Sequence, residues 1–395
     1  TLTLAHPTPA ENLRQQRNNG AAWKGSLNLE QYLRREAFLV AQDHTRDGGL
    51  TSWILIDTSL PLITNEDGET ERIVLSGCET IRKRALLRSH GTAGVRDVIC
   101  HGVGSVFCPV EFRRRGYAGR MMQLLGDALR SHQNEKAEVA CTTLYSDIGK
   151  TFYALNGGWQ PFESAHVELP AVTKSGEADN GTNGANGAAD YSVRPLYQED
   201  LPSLCEEDER LLRATLEKAP SSQKTTFALI PDKETINWMH SRENFVCGEL
   251  YQRSPEVKGA IVGSEQGKRA WCYWVRMNYN EEIGKVEENV LYILRLVVEP
   301  AIDGTPEGEK AVAALLKEAQ KEAGKWNMEV VSAWNPSEQT VRAASSVTGK
   351  DIKDVKIVDR ESESITSLRW YGEMGKGQKP KDVVEWIANE KFAWC

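Results

Sequence analysis

One short run in the first half constrains this chain more than any other: Val103-Gly104-Ser105-Val106-Phe107-Cys108-Pro109-Val110-Glu111-Phe112-Arg113-Arg114-Arg115-Gly116-Tyr117-Ala118-Gly119. It opens apolar and β-branched, as a buried strand requires, and ends in a helical pattern with no spacer. Met121, Leu124, Leu125 and Ala128 share one helical face, which predicts a helix from about Ala118 to Leu129. Between strand and helix stands a turn of three arginines, then glycine, tyrosine and alanine. Small residues at 116, 118 and 119 keep side chains out of the turn, so backbone N–H groups at the positive helix end stay open to an anion. The arginines add charge for phosphate oxygens. A basic turn that caps its own helix and binds nothing is the plain alternative, and the turn alone does not separate the two.

The surroundings of the turn predict a layered mixed α/β domain. Leu29, Tyr32, Leu33, Ala37 and Val40 recur at helical spacing, and strand-like runs follow at Trp53 to Ile56, Ile73 to Leu75 and Val98 to Phe107. After the central helix come a strand at Val139 to Tyr145 and a short helix from about Ile148. From Val172 to Asp190 the chain turns rich in Gly, Asn, Ala and Ser, with almost nothing apolar to bury, and reads as a flexible linker. The expected division is residues 1–170, a linker at 171–190, and a second domain at 191–395, in keeping with a length of 395 residues. The second part starts as the first does. A helix passes through Leu201, Leu204, Leu211 and Leu212, and strands follow at Gly259 to Val262, Ala270 to Val275 and Val290 to Val298. A helix from about Lys310 to Ala323, stopped by Gly324, precedes strands at Val330 to Trp334 and Ile365 to Tyr371.

Composition removes several classes of function. No apolar run approaches the roughly 18 residues needed to span a bilayer, and the first residues lack a secretory signal's basic start and apolar stretch. A cytoplasmic protein without a membrane role is expected. The eight cysteines form no C-x-x-C pair and have no histidines at ligand spacing, so neither a metal site nor a disulfide framework is expected. Residues 1–170 hold 19 basic and 19 acidic side chains, so the whole net charge of -8 belongs to the remainder. That balance disfavours nucleic acid and mildly favours a small cationic partner.

With the arginine turn in its context, Arg113-x-x-Gly116-x-Ala118 resembles the (Arg or Gln)-x-x-Gly-x-(Gly or Ala) signature of the GNAT superfamily. A second block, Thr143 to Trp159 with Phe152-Tyr153-Ala154-Leu155-Asn156-Gly157-Gly158-Trp159 at its end, looks like that superfamily's next strand and helix. Two departures stand out: Pro109 comes one residue early with Val110 in its usual place, and the spacing from Tyr153 to Trp159 is one residue long. Together with Cys78-Glu79-Thr80-Ile81-Arg82-Lys83-Arg84, these segments are similar to the fungal lysine N-acetyltransferases acting on the free amino acid. The resemblance implies two tandem GNAT-like domains, the second degenerate because Ala301 to Glu307 carries no arginine or Arg-x-x-Gly-x-Gly. It further implies acetyl-coenzyme A as co-substrate and the ε-amine of L-lysine as acceptor. Enhanced-intracellular-survival type enzymes, acting on aminoglycosides or protein lysines, are the competing resemblance, and a domain that only senses acetyl-coenzyme A is the non-catalytic alternative.

A lysine ammonium, with a reference pKa near 10.4, must lose a proton before its nitrogen attacks a thioester, so a base or water chain is required. The expected cofactor residues are Val106, Phe107, Cys108, Arg113, Arg114, Arg115, Gly116, Tyr117, Ala118 and Gly119, with N–H groups near Phe107 and Cys108 acting on the thioester carbonyl. Tyr153 is expected, by the resemblance, to protonate the leaving thiolate. Glu79 and Asp57 are candidates for the base, and His101 reads as buried packing. The basic run Arg82 to Arg88 reads as a solvated face or an adenosine phosphate site. Phe392 and Trp394 predict a buried tail, and the tandem enzymes imply that a terminal carboxylate at Cys395 takes the substrate proton.

Overall fold

The computed structural model describes residues 1–64, 68–172, 192–218, 224–349 and 357–394. Most of the expected linker, residues 173–190, lies outside the described residues. The first part runs β1 (Leu2–Ala5), α1 (Pro9–Trp23), α2 (Leu29–Val40), β2 (Leu50–Asp57), β3 (Ile63–Thr64), β4 (Thr70–Glu71), β5 (Ser76–Arg88) and β6 (Arg96–Phe107). It continues with α3 (Tyr117–Ala128), β7 (Val139–Ser146), α4 (Phe152–Gly157), β8 (Gln160–Pro161) and β9 (Ala165–Pro170). The second runs β10 (Val193–Leu196), α5 (Leu201–Lys218), β11 (Thr225–Leu229), α6 (Lys233–Tyr251), β12 (Gly259–Val262), β13 (Ala270–Met277) and β14 (Val290–Val298). It ends with α7 (Pro306–Lys325), β15 (Val330–Trp334), α8 (Glu338–Thr348), β16 (Ile357–Asp359), β17 (Ile365–Trp370), α9 (Pro380–Val383) and β18 (Val384–Trp386).

Local chemistry starts many of these helices. Thr8 with Glu11 and Asn28 with Gln31 form capping boxes on α1 and α2, while Asp232, Thr305 and Ser337 cap α6, α7 and α8. Sheet membership, in contrast, crosses the division of the sequence. The larger sheet has the order β1-β2-β5-β6-β7-β17-β8, with β11 on β5 and β18 on β11; the smaller has the order β10-β12-β13-β14-β15-β9-β16. β9 therefore completes the sheet of the second part, and β11, β17 and β18 complete that of the first.

The repeat seen in element order is a repeat of geometry. β6 is parallel to β7 across α3, and β14 is parallel to β15 across α7. Both leading strands are irregular. On β6 the register jumps from Glu79↔Gly104 to Gly77↔Phe107, with Ser105 at φ 52°, and on β14 it jumps from Tyr273↔Arg295 to Trp274↔Ile293.

Three expectations about elements are corrected. No strand forms at Ile73 to Leu75; the strand is β5, whose charged sequence conceals it. The short helix starts at Phe152 rather than Ile148, because Gly149 at φ 78° turns the chain first. α7 continues past Gly324 to Lys325, its last turn held by Trp326 Nε1 donating to Glu322 at 3.0 Å. The buried face of α2 is also not the apolar stripe: Leu29, Ala37 and Val40 are exposed, whereas Tyr32, Arg35 and Leu39 are buried. That helix turns a cation inward, where Arg35 pairs with Glu36 at 2.7 Å.

α6 is held in place by a buried ionic cluster. Arg276 meets Glu243 at 2.7 Å and Glu322 at 2.6 Å, and Lys258 meets Glu243 at 3.0 Å. Buried charges persist only when paired, so this cluster fixes α6 to β13 and α7 at residue 243.

Candidate functional site

The β6–β7 ladder ends at Val103↔Leu144, although β6 runs to Phe107 and β7 to Ser146. Past that pair β7 follows β17 and β6 bends at its bulge, so a wedge opens with residues 104–107 on one wall. Below the wedge lies the turn into α3. Arg114 and Gly116 both have left-handed backbones, at φ 62° and 80°, and a Cβ on Gly116 would meet nothing within 4 Å. No side chain caps α3, so its first N–H groups remain open to a ligand.

The three arginines divide their work. Arg113 Nε donates to the Cys108 carbonyl at 3.0 Å and its guanidinium lies over the Phe107 ring, which ties the turn to β6. Arg114 and Arg115 are exposed, with no carboxylate partner among the described residues. Tyr117 and Ala118 follow at the helix start. Gly119 answers to packing: a Cβ there would stand 2.5 Å from Asn156 Oδ1 on α4. An open cradle with uncapped N–H groups and two unpaired guanidiniums fits a pyrophosphate-bearing cofactor. Among the described residues, no group of three or more His, Cys, Asp or Glu is placed to hold a metal ion.

Glu79 stands at the bulge, on β5. It is 9% exposed and accepts from the Ser105 hydroxyl. Burial first, then the nearby Glu36 charge, pushes its pKa up to about 7, against the Ser105 hydrogen bond and the Arg35 charge. Tyr153 is buried in the cluster of Val103, Met122, Leu144 and Trp159; burial raises its pKa, so the phenol keeps its proton at neutral pH. It lies within electrostatic reach of Asp147 and Cys78, the latter adjoining Glu79.

The other candidates are otherwise engaged. Asp57 accepts from the Ser59 hydroxyl at 2.7 Å and from the Ser59 N–H at 3.0 Å. His101 is 1% exposed, bonds the His132 carbonyl, and has its pKa lowered to about 4 by burial. The basic run is engaged with the chain itself, although Arg84 stays exposed. Arg84 pairs with Glu209, Arg88 caps the carbonyls of Leu216 and Glu217 at the end of α5, and Lys83 donates to the Ala393 carbonyl. Phe392 is 1% exposed and Trp394 partly buried, while Cys395 lies outside the described residues. Sequence reasoning missed Arg35, Glu36 and Arg242, which with Glu79 lie within electrostatic reach of Tyr32. The available signal was an arginine on the inner side of α2.

In the second part the equivalent wedge is closed from within. Past Ile293↔Ala333, the Leu296 N–H donates to Glu390 at 2.9 Å, and Arg295 binds both Glu390 and Asp208. Lys391 is enclosed by the rings of Tyr292, Trp334 and Trp394 at 4.1–4.4 Å. Thr305 caps α7, and Glu299 in the preceding turn is held by Arg269. The donors that stay open in the first wedge are consumed here by the chain itself.

Comparison with known proteins agrees with this architecture. Residues 166–395 match the family described as LYC1 GNAT-like C-terminal domain. A lysine acetyltransferase of Yarrowia lipolytica is 22% identical over 437 residues, covering 100% of both chains. Two solved structures share the fold at a TM-score of 0.50 and 10% identity, each covering 94% of this chain. They are a GCN5-related N-acetyltransferase from Anabaena variabilis, 73% covered, and Saccharomyces cerevisiae N-myristoyltransferase with bound myristoyl-CoA, 79% covered. With one open and one closed GNAT-like wedge, the chain belongs to the LYC1 GNAT-like family, and it is an acetyltransferase of the GNAT type.

Proposed function

We propose that this protein moves the acetyl group of acetyl-coenzyme A to the ε-amine of free L-lysine at the wedge between β6 and β7, within an N-terminal catalytic domain. The observation that carries the reading is Glu79, a buried carboxyl with its pKa near 7 beside the bulge. An ordinary glutamate is roughly 6 pKa units below a lysine ammonium; at 7 the gap is about half that, which brings proton transfer within an ordinary catalytic barrier. The full-length likeness to a lysine acetyltransferase supports lysine as the acceptor.

When bound, acetyl-coenzyme A supplies the activated thioester. In this reading Arg114, Arg115 and the N–H groups of Gly116 to Gly119 hold the pyrophosphate, and Arg113 braces the turn. Glu79 takes the ammonium proton, N–H groups around Val106 to Cys108 donate to the carbonyl oxygen, and the Tyr153 phenol gives its proton to the departing sulfur. A carboxylate at Cys395 is the alternative base, supported by the tail carbonyls at Lys83. Its reference pKa of about 3.3–3.7 would leave kcat without a limb near pH 7.

The test is incubation with acetyl-coenzyme A and a panel of lysine, ornithine, a lysine peptide and an aminoglycoside, read by mass. Acetyl-lysine as the main product is expected. Turnover confined to peptide or aminoglycoside, or none with any amine, would overturn the reading.

A further inference from the structure

The second part of the chain brings a cation, Arg242, within electrostatic reach of Tyr32, the ring that also senses Glu79. α6 packs on α2, with the Phe38 and Phe245 rings 5.5 Å apart and Glu249 accepting from Arg34 at 2.6 Å and Gln31 at 3.1 Å. Residue 243 is locked by Arg276 and Lys258, so the direction of its neighbour Arg242 is set by the fold. Arg242 Nη1 is directed at the thioether sulfur of Met277, and its guanidinium lies 5.8 Å from the Trp394 ring. No carboxylate stands within ion-pair distance of it among the described residues. Glu36, the acid that Arg242 senses, is already held by Arg35 at 2.7 Å.

A thioether is a poor acceptor, and a desolvated guanidinium without an anion is costly. Burial and the Arg35 charge pull the Arg242 pKa down to about 10, yet the side chain keeps accessible surface. A guanidinium that is partly exposed and has no carboxylate partner among the described residues is free to meet an anion from outside the chain. Tyr32 lies within electrostatic reach of both Glu79 and Arg242, so the two groups share one neighbourhood around that ring.

We infer that Arg242 is the specificity-determining residue of a carboxylate subsite, which takes the α-carboxylate of a free amino acid while the side-chain amine reaches Glu79. This rests on the amino-acid acceptor proposed above and adds the group that recognises it. Residues inside a peptide lack that carboxylate and gain nothing from the subsite.

The experiment compares kcat/KM for L-lysine and for cadaverine, which is lysine without its carboxylate, in the wild type, Arg242→Ala and Arg242→Lys. The wild type is expected to prefer lysine by on the order of 100-fold, as loss of a desolvated charge pair implies. Arg242→Ala should lose that factor on lysine, chiefly in KM, while cadaverine turnover stays within about threefold. Arg242→Lys should recover part of the preference. Equal losses on both amines would mean that Arg242 only secures the tail through Trp394, and would overturn the inference. A wild type indifferent between the two amines overturns it without any variant, which covers the case of Arg242→Ala failing to fold. Failure of the acceptor reading itself is distinct, because then neither free amine is acetylated.

Discussion

Lys83, buried in the middle of β5, donates its ammonium to the backbone carbonyl of Ala393, 310 residues further on, and reaches the Trp394 carbonyl at 3.5 Å. It shares a strand face with Glu79, four residues and about 13 Å away. The tail therefore packs at Lys83 on the strand that carries Glu79. Lys83→Met should cost about 1–3 kcal/mol in chemical denaturation, since a buried carbonyl loses its partner, and should lower kcat at least severalfold. Unchanged stability and kcat would show that this contact does not matter.

Glu79→Gln should lower kcat by on the order of 100-fold or more and abolish a pH limb near 7, where the wild-type rate rises as the carboxyl ionises. Stability gives an independent readout with a definite sign. The folded pKa lies above the unfolded one, so the wild type loses stability as pH rises from 4.5 through 7, by at most about 3 kcal/mol. The variant escapes that loss. Its stability should match the wild type near pH 4 and exceed it above pH 7, and a difference independent of pH would contradict the assigned shift.

Gly116→Val places a β-branched residue at φ 80°, where even alanine is strained, although no neighbouring atom obstructs it. Calorimetry should show the acetyl-coenzyme A Kd rising at least tenfold with a modest loss of melting temperature. An unchanged Kd would move the phosphate site elsewhere.

Tyr153→Phe keeps the ring in its apolar cluster and removes only the hydroxyl. We expect kcat to fall roughly 10- to 100-fold, with KM for acetyl-coenzyme A nearly constant, as for a group acting on the leaving sulfur. A wild-type kcat would remove the phenol from the reaction.

The legible parts of the site are those in which cause and effect lie close along the chain. Strand, arginine turn and helix from Val103 to Leu129 are visible because each follows from side chains a few residues apart. β5 was hidden because Glu79, Arg82, Lys83 and Arg84 resemble a solvated stretch, while Glu209 and the Ala393 carbonyl, which accept from two of them, come from distant segments. α2 misled for the same reason, since its inward face carries Arg35 beside Tyr32 and Leu39, while Leu29, Ala37 and Val40 face out. Arg242 gave no local sign at all.

The residue order alone shows the small-residue turn at 116–119 and the strand–helix–strand order used twice, because these depend on backbone sterics and on side-chain spacing within a few residues. Tertiary structure decides which of the two wedges stays open. The Leu296 N–H is taken by Glu390 and the start of α7 by Thr305, whereas the matching donors below β6 meet no side chain. It also raises Glu79 toward neutrality and brings Arg242 within electrostatic reach of Tyr32, as Glu79 is. Desolvation and charge pairing depend on which atoms surround a group in space, and here those atoms lie up to hundreds of residues away along the chain.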